Sequence, residues 1–305
     1  MVRTATVLCV ASVVLPTIQA LSIDLTKLSL FRRDKPAHLP NFDLLTAEPD
    51  RIPPAPKSTT KRWDAGSYPQ TCYDIAREAI SDTDARPKCE IRDLEVYDVT
   101  YEGCDADPWI MCRCSNAEHS LQEMVEGMGT VPHGVRSMVS HVINMNGFGG
   151  GGGGSSNDRI SYGGRPAQTF FSHESMHSND KGFSISPEYQ VAYDADSCVP
   201  DDYANASPAE NFAQLGTWLN FGINGKPIDP YTGKDASCMK NLLEASQKWL
   251  GDKLPLATSK CAPRPANDEN VQAKRNARDM VVKRDPRESF KREEMLPHVP
   301  YQRLF

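Results

Sequence analysis

The sequence predicts a helix-rich α+β domain, bonded by disulfides, over residues 63–261. Three observations carry that prediction. Eight of the nine cysteines, Cys72 through Cys261, fall inside this span. Helical and alternating apolar spacings both occur along it. Its 199 residues are a normal size for one domain.

The flanks differ from this centre. Residues 1–20 hold a lone early cation (Arg3), an apolar run from Ala5 to Leu15, Pro16 and a small Ala20. That is the layout of a cleavable secretory signal, so the product is expected outside the cell, at the cell wall or spore surface included. Its removal takes away Cys9 and leaves Cys72, Cys89, Cys104, Cys112, Cys114, Cys198, Cys238 and Cys261. An even number in a secreted chain reads as four disulfides, with the pairing left open. Cys112-Arg113-Cys114 is spaced like a metal-binding pair, but an oxidising compartment makes disulfides the expected fate of both thiols.

Residues 21–62 lack cysteine, carry Pro40, Pro53, Pro54 and Pro56, and end in Lys61-Arg62. They read as a propeptide or flexible leader released after that dibasic pair, or as a solvated linker. Residues 262–305 are rich in Arg, Asn, Asp and Glu, too polar to offset the entropy of ordering, and are expected to form a disordered charged tail.

Within the centre, Thr71 to Ser81 has helical spacing through Cys72, Ile75, Ala76 and Ala79. Leu94 to Tyr101 alternates as a strand does. Ser115-Asn116-Ala117-Glu118 reads as a capping box opening a helix toward Glu126. Pro132 is expected to start another, with Val135, Met138, Val139 and Val142 on its apolar face. Gly147 to Gly154 is nearly all glycine, and its formal match to a dinucleotide fingerprint is trivial in such a run; a mobile loop is expected. Neither a GxSxG elbow nor a GK[ST] phosphate loop occurs.

The formal charge of −6 averages unlike regions. Residues 63–261 carry 15 basic and 28 acidic residues, a net −13, between two flanks of +3 each. So acidic a centre repels phosphate backbones, which argues against nucleic acid as a partner. After residue 20 no apolar run reaches the roughly 18 residues a membrane helix needs, so no span is expected in the mature product.

His173-Glu174-Ser175-Met176-His177 is an HExxH motif. On a helix the two histidines lie one turn apart on one face. Both can then reach a single Zn²⁺, with Glu174 beside the open coordination position. Arg165-Pro166-Ala167-Gln168 can start that helix, and Phe170 and Phe171 can bury it. Chance alone produces the pattern in roughly one chain of this size in a hundred, so two ordinary helix histidines stay a competing reading.

A catalytic zinc site takes three protein ligands. Downstream candidates are Glu188, Asp194, Asp196, Asp201, Asp202 and Glu210. Glu210 is favoured, because Ser207-Pro208-Ala209-Glu210 opens a helix continued by Phe212, Leu215 and Leu219. A plain capping box supplies a Glu at the same position.

HESMH followed by Tyr203-Ala-Asn-Ala-Ser-Pro-Ala-Glu210-Asn-Phe-Ala-Gln resembles the gluzincin pattern of anthrax lethal factor-type zinc peptidases. The resemblance implies a zincin-like fold in which Zn²⁺ is held by His173, His177 and Glu210. Glu174 is then the general base and Tyr203, seven residues before Glu210, assists at the transition state. The acidic residue usual after Phe-Ala is replaced by Gln214. The cysteine arrangement and the PWIMCRC segment (Pro108–Cys114) resemble the secreted conidiation-specific protein family of filamentous fungi, over most of residues 63–261.

The function expected is a secreted zinc metallopeptidase that cleaves protein or peptide substrates with a metal-activated water. The alternative is a non-catalytic secreted or spore-surface protein that keeps the fold. The sequence assigns no oligomeric state. Asn205-Ala206-Ser207 is an N-glycosylation sequon beside the expected site. The charge split suggests that the basic leader docks on the acidic domain and that substrates favour basic side chains.

Overall fold

A computed structural model describes residues 34–272, apart from 105, 227–235 and 262. The expected signal at 1–20 and the tail beyond 272 lie outside the described residues. Among the latter, no helix is long and apolar enough to cross a membrane.

The first half of the chain runs α1 (Asp43–Thr46), β1 (Ser58–Arg62), β2 (Ser67–Pro69), α2 (Gln70–Arg77), β3 (Leu94–Tyr101), β4 (Trp109–Cys114), α3 (Leu121–Gly129) and α4 (His133–Arg136). The second half runs β5 (His141–Met145), β6 (Gly152–Ser156), β7 (Arg159–Gly163), α5 (Phe170–Asp180), α6 (Pro187–Ala195), α7 (Pro208–Asn224), α8 (Lys240–Leu250) and β8 (Asn270–Gln272). The mixed α and β content expected is present, with helices concentrated after residue 169.

Six strands form one mixed sheet in the order β1-β3-β4-β5-β7-β6. The β4–β5 and β5–β7 pairs are parallel and the others antiparallel. Central β5 is buried at all five positions, as a strand covered on both faces must be. On one face Ile110, Cys112, Cys114, Ile143 and Met145 join Cys72, Tyr73 and Ala76 of α2 in an apolar cluster. On the other, Trp109 packs edge-on against Tyr101 and its indole N–H donates to the carbonyl of Arg136 at 3.2 Å.

All eight cysteines of the described residues are paired: Cys72–Cys112, Cys89–Cys114, Cys104–Cys261 and Cys198–Cys238. The Cys-x-Cys spacing thereby finds its reason. Two residues apart on β4, Cys112 and Cys114 face the same side and staple α2 and the loop that follows it to the sheet.

Several local expectations are corrected. The capping box lies at Ser120 and Glu123, whose side chains bond each other's backbone N–H, and the helix opens at Leu121. Ser115–Glu118 is instead a turn closing β4, held by Ser115 N–H to Asp93 O (2.7 Å) and by Arg113 donating to Ala117 O (2.9 Å). The helix begun at Pro132 ends at Arg136, because Ser140 is drawn to the carbonyl of Asp158 and Val142 enters β5. The helix expected over 71–81 stops at Arg77, where the chain doubles back and Lys88 N–H bonds Glu78 O.

The glycine run is not wholly a loop. Gly152 to Ser156 forms β6, one of the sheet's two edge strands. A Cβ at Gly153 would sit 2.5 Å from Tyr162 Cβ and 2.8 Å from Phe170 Cζ. Only glycine lets the strand lie this close over α5.

The expected leader packs against the domain where it is described. Leu39, Phe42 and Leu45 are buried, and Phe42 and His38 stand edge-on to Trp218 at 6.3 and 5.4 Å. His38 and Leu39 bond the carbonyls of Val199 and Pro200 (2.8 and 2.9 Å), while Lys35 Nζ caps the carbonyls of Tyr193 and Asp196. Docking here proceeds by backbone pairing and apolar burial, whatever the opposite net charges contribute. Lys61 and Arg62, the expected release point, lie exposed in β1 against Asp98 and Tyr97 of β3. The tail's first residues are also ordered, as β8 pairs with β2.

α5 and α7 meet at Gly216, where an added Cβ would lie 2.6 Å from Cγ and Sδ of the fully buried Met176. Gly216→Val should therefore force the helices apart and cost about 1–3 kcal/mol of stability. Urea unfolding measures this, and an unchanged midpoint would contradict the close approach.

Candidate metal centre

α5 is an unusual carrier for polar chemistry, because Phe170 through Met176 are all buried, and so are Ser178 and Asn179. Phe170 and Phe171 anchor its start against Tyr162, at 5.2 and 5.5 Å between ring centroids. The helix opens at Phe170, whose N–H bonds Ala167 O, so residues 165–168 lead into it and do not form its first turn. It ends at Lys181 in the left-handed region (φ 46°), followed by Gly182. A helix buried all round that carries His, Glu and His must bring those groups to partners, since burying them alone is costly.

The partners come from α7. Ser207 caps this helix by accepting the Glu210 N–H at 3.1 Å, and Pro208 occupies the first turn. The Glu210 carboxylate turns to the histidines: Oε2 lies 2.9 Å from His173 Nε2 and 3.4 Å from His177 Nε2. The two imidazole Nε2 atoms are 3.2 Å apart. Ligands of one tetrahedral zinc ion, each about 2.0–2.2 Å from the metal, stand roughly 3.3 Å from one another. Two imidazole nitrogens and a carboxylate oxygen at these separations fit such an ion.

The other downstream acids are engaged elsewhere. Asp196 accepts the Leu242 N–H, Glu188 pairs with Lys248, and Asp194 accepts from Gln190. Asp202 begins the short 3-10 helix Asp202–Asn205. Asp201 is buried behind the cluster, where its Oδ2 accepts from Gln214 Nε2 at 2.6 Å. Gln214 Oε1 in turn lies 2.9 Å from His173 Nδ1. Among the described residues two further groups have donor atoms close enough to hold a metal, but their sulfurs belong to Cys198–Cys238 and Cys104–Cys261.

Glu174 is buried on α5, and its charge helps hold the His173 proton. Burial pushes the His173 pKa down, but the hydrogen bond to Glu210, the charges of Glu174 and Glu210 and the bond to Gln214 raise it to about 9. Burial likewise opposes the Glu210 charge, yet the two histidines hold its pKa far below the usual carboxylate range. Buried acids here draw in positive charge.

Tyr203, half-buried on the 3-10 helix, has its ring centroid 5.7 Å from that of His173. A cavity of about 490 Å³ opens beside Tyr203 and Gln214, walled by Phe170, by Gly150–Gly153 and by Phe42 and Asp43. Sequence reasoning missed the last two, although Leu39, Phe42 and Leu45 were a visible apolar signal in the supposed leader. The sequon residue Asn205 is clasped to Lys35: its Oδ1 accepts the Lys35 N–H (3.0 Å) and its Nδ2 donates to the Lys35 carbonyl (2.9 Å).

Fold and site together define a disulfide-bonded α+β domain built around a candidate His₂Glu metal centre. The chain belongs to the conidiation-specific protein Con-13 family, whose model matches residues 49–253. It is 31% identical over 194 residues to conidiation-specific protein 13 of Neurospora crassa, an alignment covering 60% of this chain and 54% of that protein. The chain thus matches about half the length of that relative. No solved structure matches it.

In the metal-free chain, His173 should titrate near pH 9 when followed by NMR. Its protonated form therefore stabilises the fold fully below the ordinary value of 6.5, and that contribution is lost as pH rises through about 9. Glu210→Gln should lower the His173 value by about one unit or more. A wild-type value near 6.5 would refute the paired arrangement.

Proposed function

We propose that this chain is a secreted zinc-dependent endopeptidase. The observation that carries the reading is the convergence of His173 Nε2, His177 Nε2 and Glu210 Oε2 at the separations one small ion requires. Zinc bound there would polarise a substrate carbonyl and lower the pKa of a water toward about 7.

The chain's own groups supply the rest. Glu174, between the two histidines in sequence and buried beside His173, takes the proton of the attacking water and returns it to the leaving amine. Tyr203, from the facing 3-10 helix, donates its phenol proton to the carbonyl oxygen as that atom gains charge. The outer edge of β6 borders the cavity, so an extended peptide can add to the sheet there by main-chain hydrogen bonds. The disulfides suit the oxidising compartment that the N-terminal signal pattern suggests.

Glu174→Gln should leave zinc stoichiometric while hydrolysis of a peptide library falls by about 10²–10⁴-fold. Metal analysis and mass-spectrometric digestion read the two outcomes separately. Zinc with no chelator-sensitive cleavage in the wild-type chain would instead favour a non-catalytic protein that keeps the fold.

A further inference from the structure

We propose that Asp201 is a positioning residue that fixes, through Gln214, which nitrogen of His173 is free to bind a metal. The inference rests on His173 being a ligand, as set out above. It starts from polarity. An ionised carboxylate only accepts hydrogen bonds, whereas an amide presents an acceptor on one side and donors on the other. Asp201 and Gln214 are both buried and 2.6 Å apart, so Gln214 must turn its NH₂ to Asp201. Its carbonyl is then left facing His173 Nδ1 at 2.9 Å. That carbonyl demands a proton on Nδ1, so the proton that a metal would displace is the one Nε2 holds toward Glu210.

The second oxygen of Asp201 does separate work. Oδ1 accepts the N–H of Ala204 at 3.1 Å and so caps the 3-10 helix that carries Tyr203. One buried anion thereby orders a ligand on α5 and the phenol opposite it. Gln214, which breaks the acidic pattern of the resembling peptidases, becomes the neutral link between a distant carboxylate and the imidazole.

Near-isosteric exchanges test this. In Asp201→Asn the amide oxygen stays on the Ala204 N–H, its NH₂ meets Gln214, and Gln214 reverses, aiming NH₂ at His173 Nδ1. Zinc affinity of the full-length chain, by competition with a chromogenic chelator, should fall roughly 10–100-fold. The double exchange Asp201→Asn with Gln214→Glu should recover affinity to within about threefold, because the carboxylate now at 214 accepts from both neighbours. A role in packing alone would not produce that recovery. Affinity unchanged by Asp201→Asn, or a double variant no better than the single, overturns the proposal.

NMR of His173 in the metal-free chain gives a readout that needs no metal. Nδ1 of the wild-type ring should carry a proton bonded to Gln214, and Asp201→Asn should remove it, leaving the ring proton on Nε2 toward Glu210. A proton that stays on Nδ1 in the variant refutes the relay even where zinc binds. Its loss in a chain that binds no zinc upholds the relay and refutes the peptidase reading.

Discussion

Everything at the site depends on how closely α5 and α7 approach. Two of the converging donors ride on α5 and the third on α7, so the distance between helices sets the distance between ligands. Gly216 supplies the approach by offering Met176 no side chain to displace. Further along, Asn220 donates to Ser172 Oγ at 3.0 Å and to the carbonyl of Thr130 at 3.3 Å, which adds a polar lock to the apolar contact. Glu210, Gln214 and Thr217 follow one another at helical spacing on the stripe of α7 that ends at Asn220. The same face therefore packs the core and presents the carboxylate.

Charge is the second constraint. Glu174, Glu210 and Asp201 are gathered in an interior where a carboxylate without a counter-charge is strongly disfavoured. In the metal-free chain a proton on His173 provides part of the compensation, which is why His173 and Glu210 are displaced in opposite directions. A divalent cation bound at the same three atoms would replace that proton and satisfy all three donors at once. Cation binding and folding are thereby coupled: whatever binds this native arrangement, and not the unfolded chain, stabilises the domain.

The sequence made the site more legible than the fold around it. HExxH places two histidines by helical period alone, and the Ser-Pro-x-Glu start of α7 is as local a signal. Both survive folding because short-range hydrogen bonds and sterics determine them. The relay behind them was not legible. Asp201 and Gln214 are thirteen residues apart and meet only because α7 folds back beside its own preceding loop. From sequence Asp201 was one acid among six, and Gln214 merely a departure from a pattern. The glycine run misled for a related reason: its strand character comes from the close cover of Tyr162 and Phe170, a tertiary fact that outweighs glycine's weak strand propensity.

The segment before Trp63 shows the same limit from the other side. Proline content and a dibasic end describe a leader, and nothing local marks the chain around His38 as the partner of Val199 and Pro200. Yet that pairing steadies the run leading into Asp201, while the Asn205–Lys35 clasp holds the far end of the 3-10 helix. Phe42 then closes the cavity beside Tyr203. A chain severed after Arg62 would still have residues 35–46 held by these bonds and by the buried Leu39, Phe42 and Leu45. Cleavage there and loss of the segment are separate events, and only the second would strip the wall from the cavity and uncover Trp218.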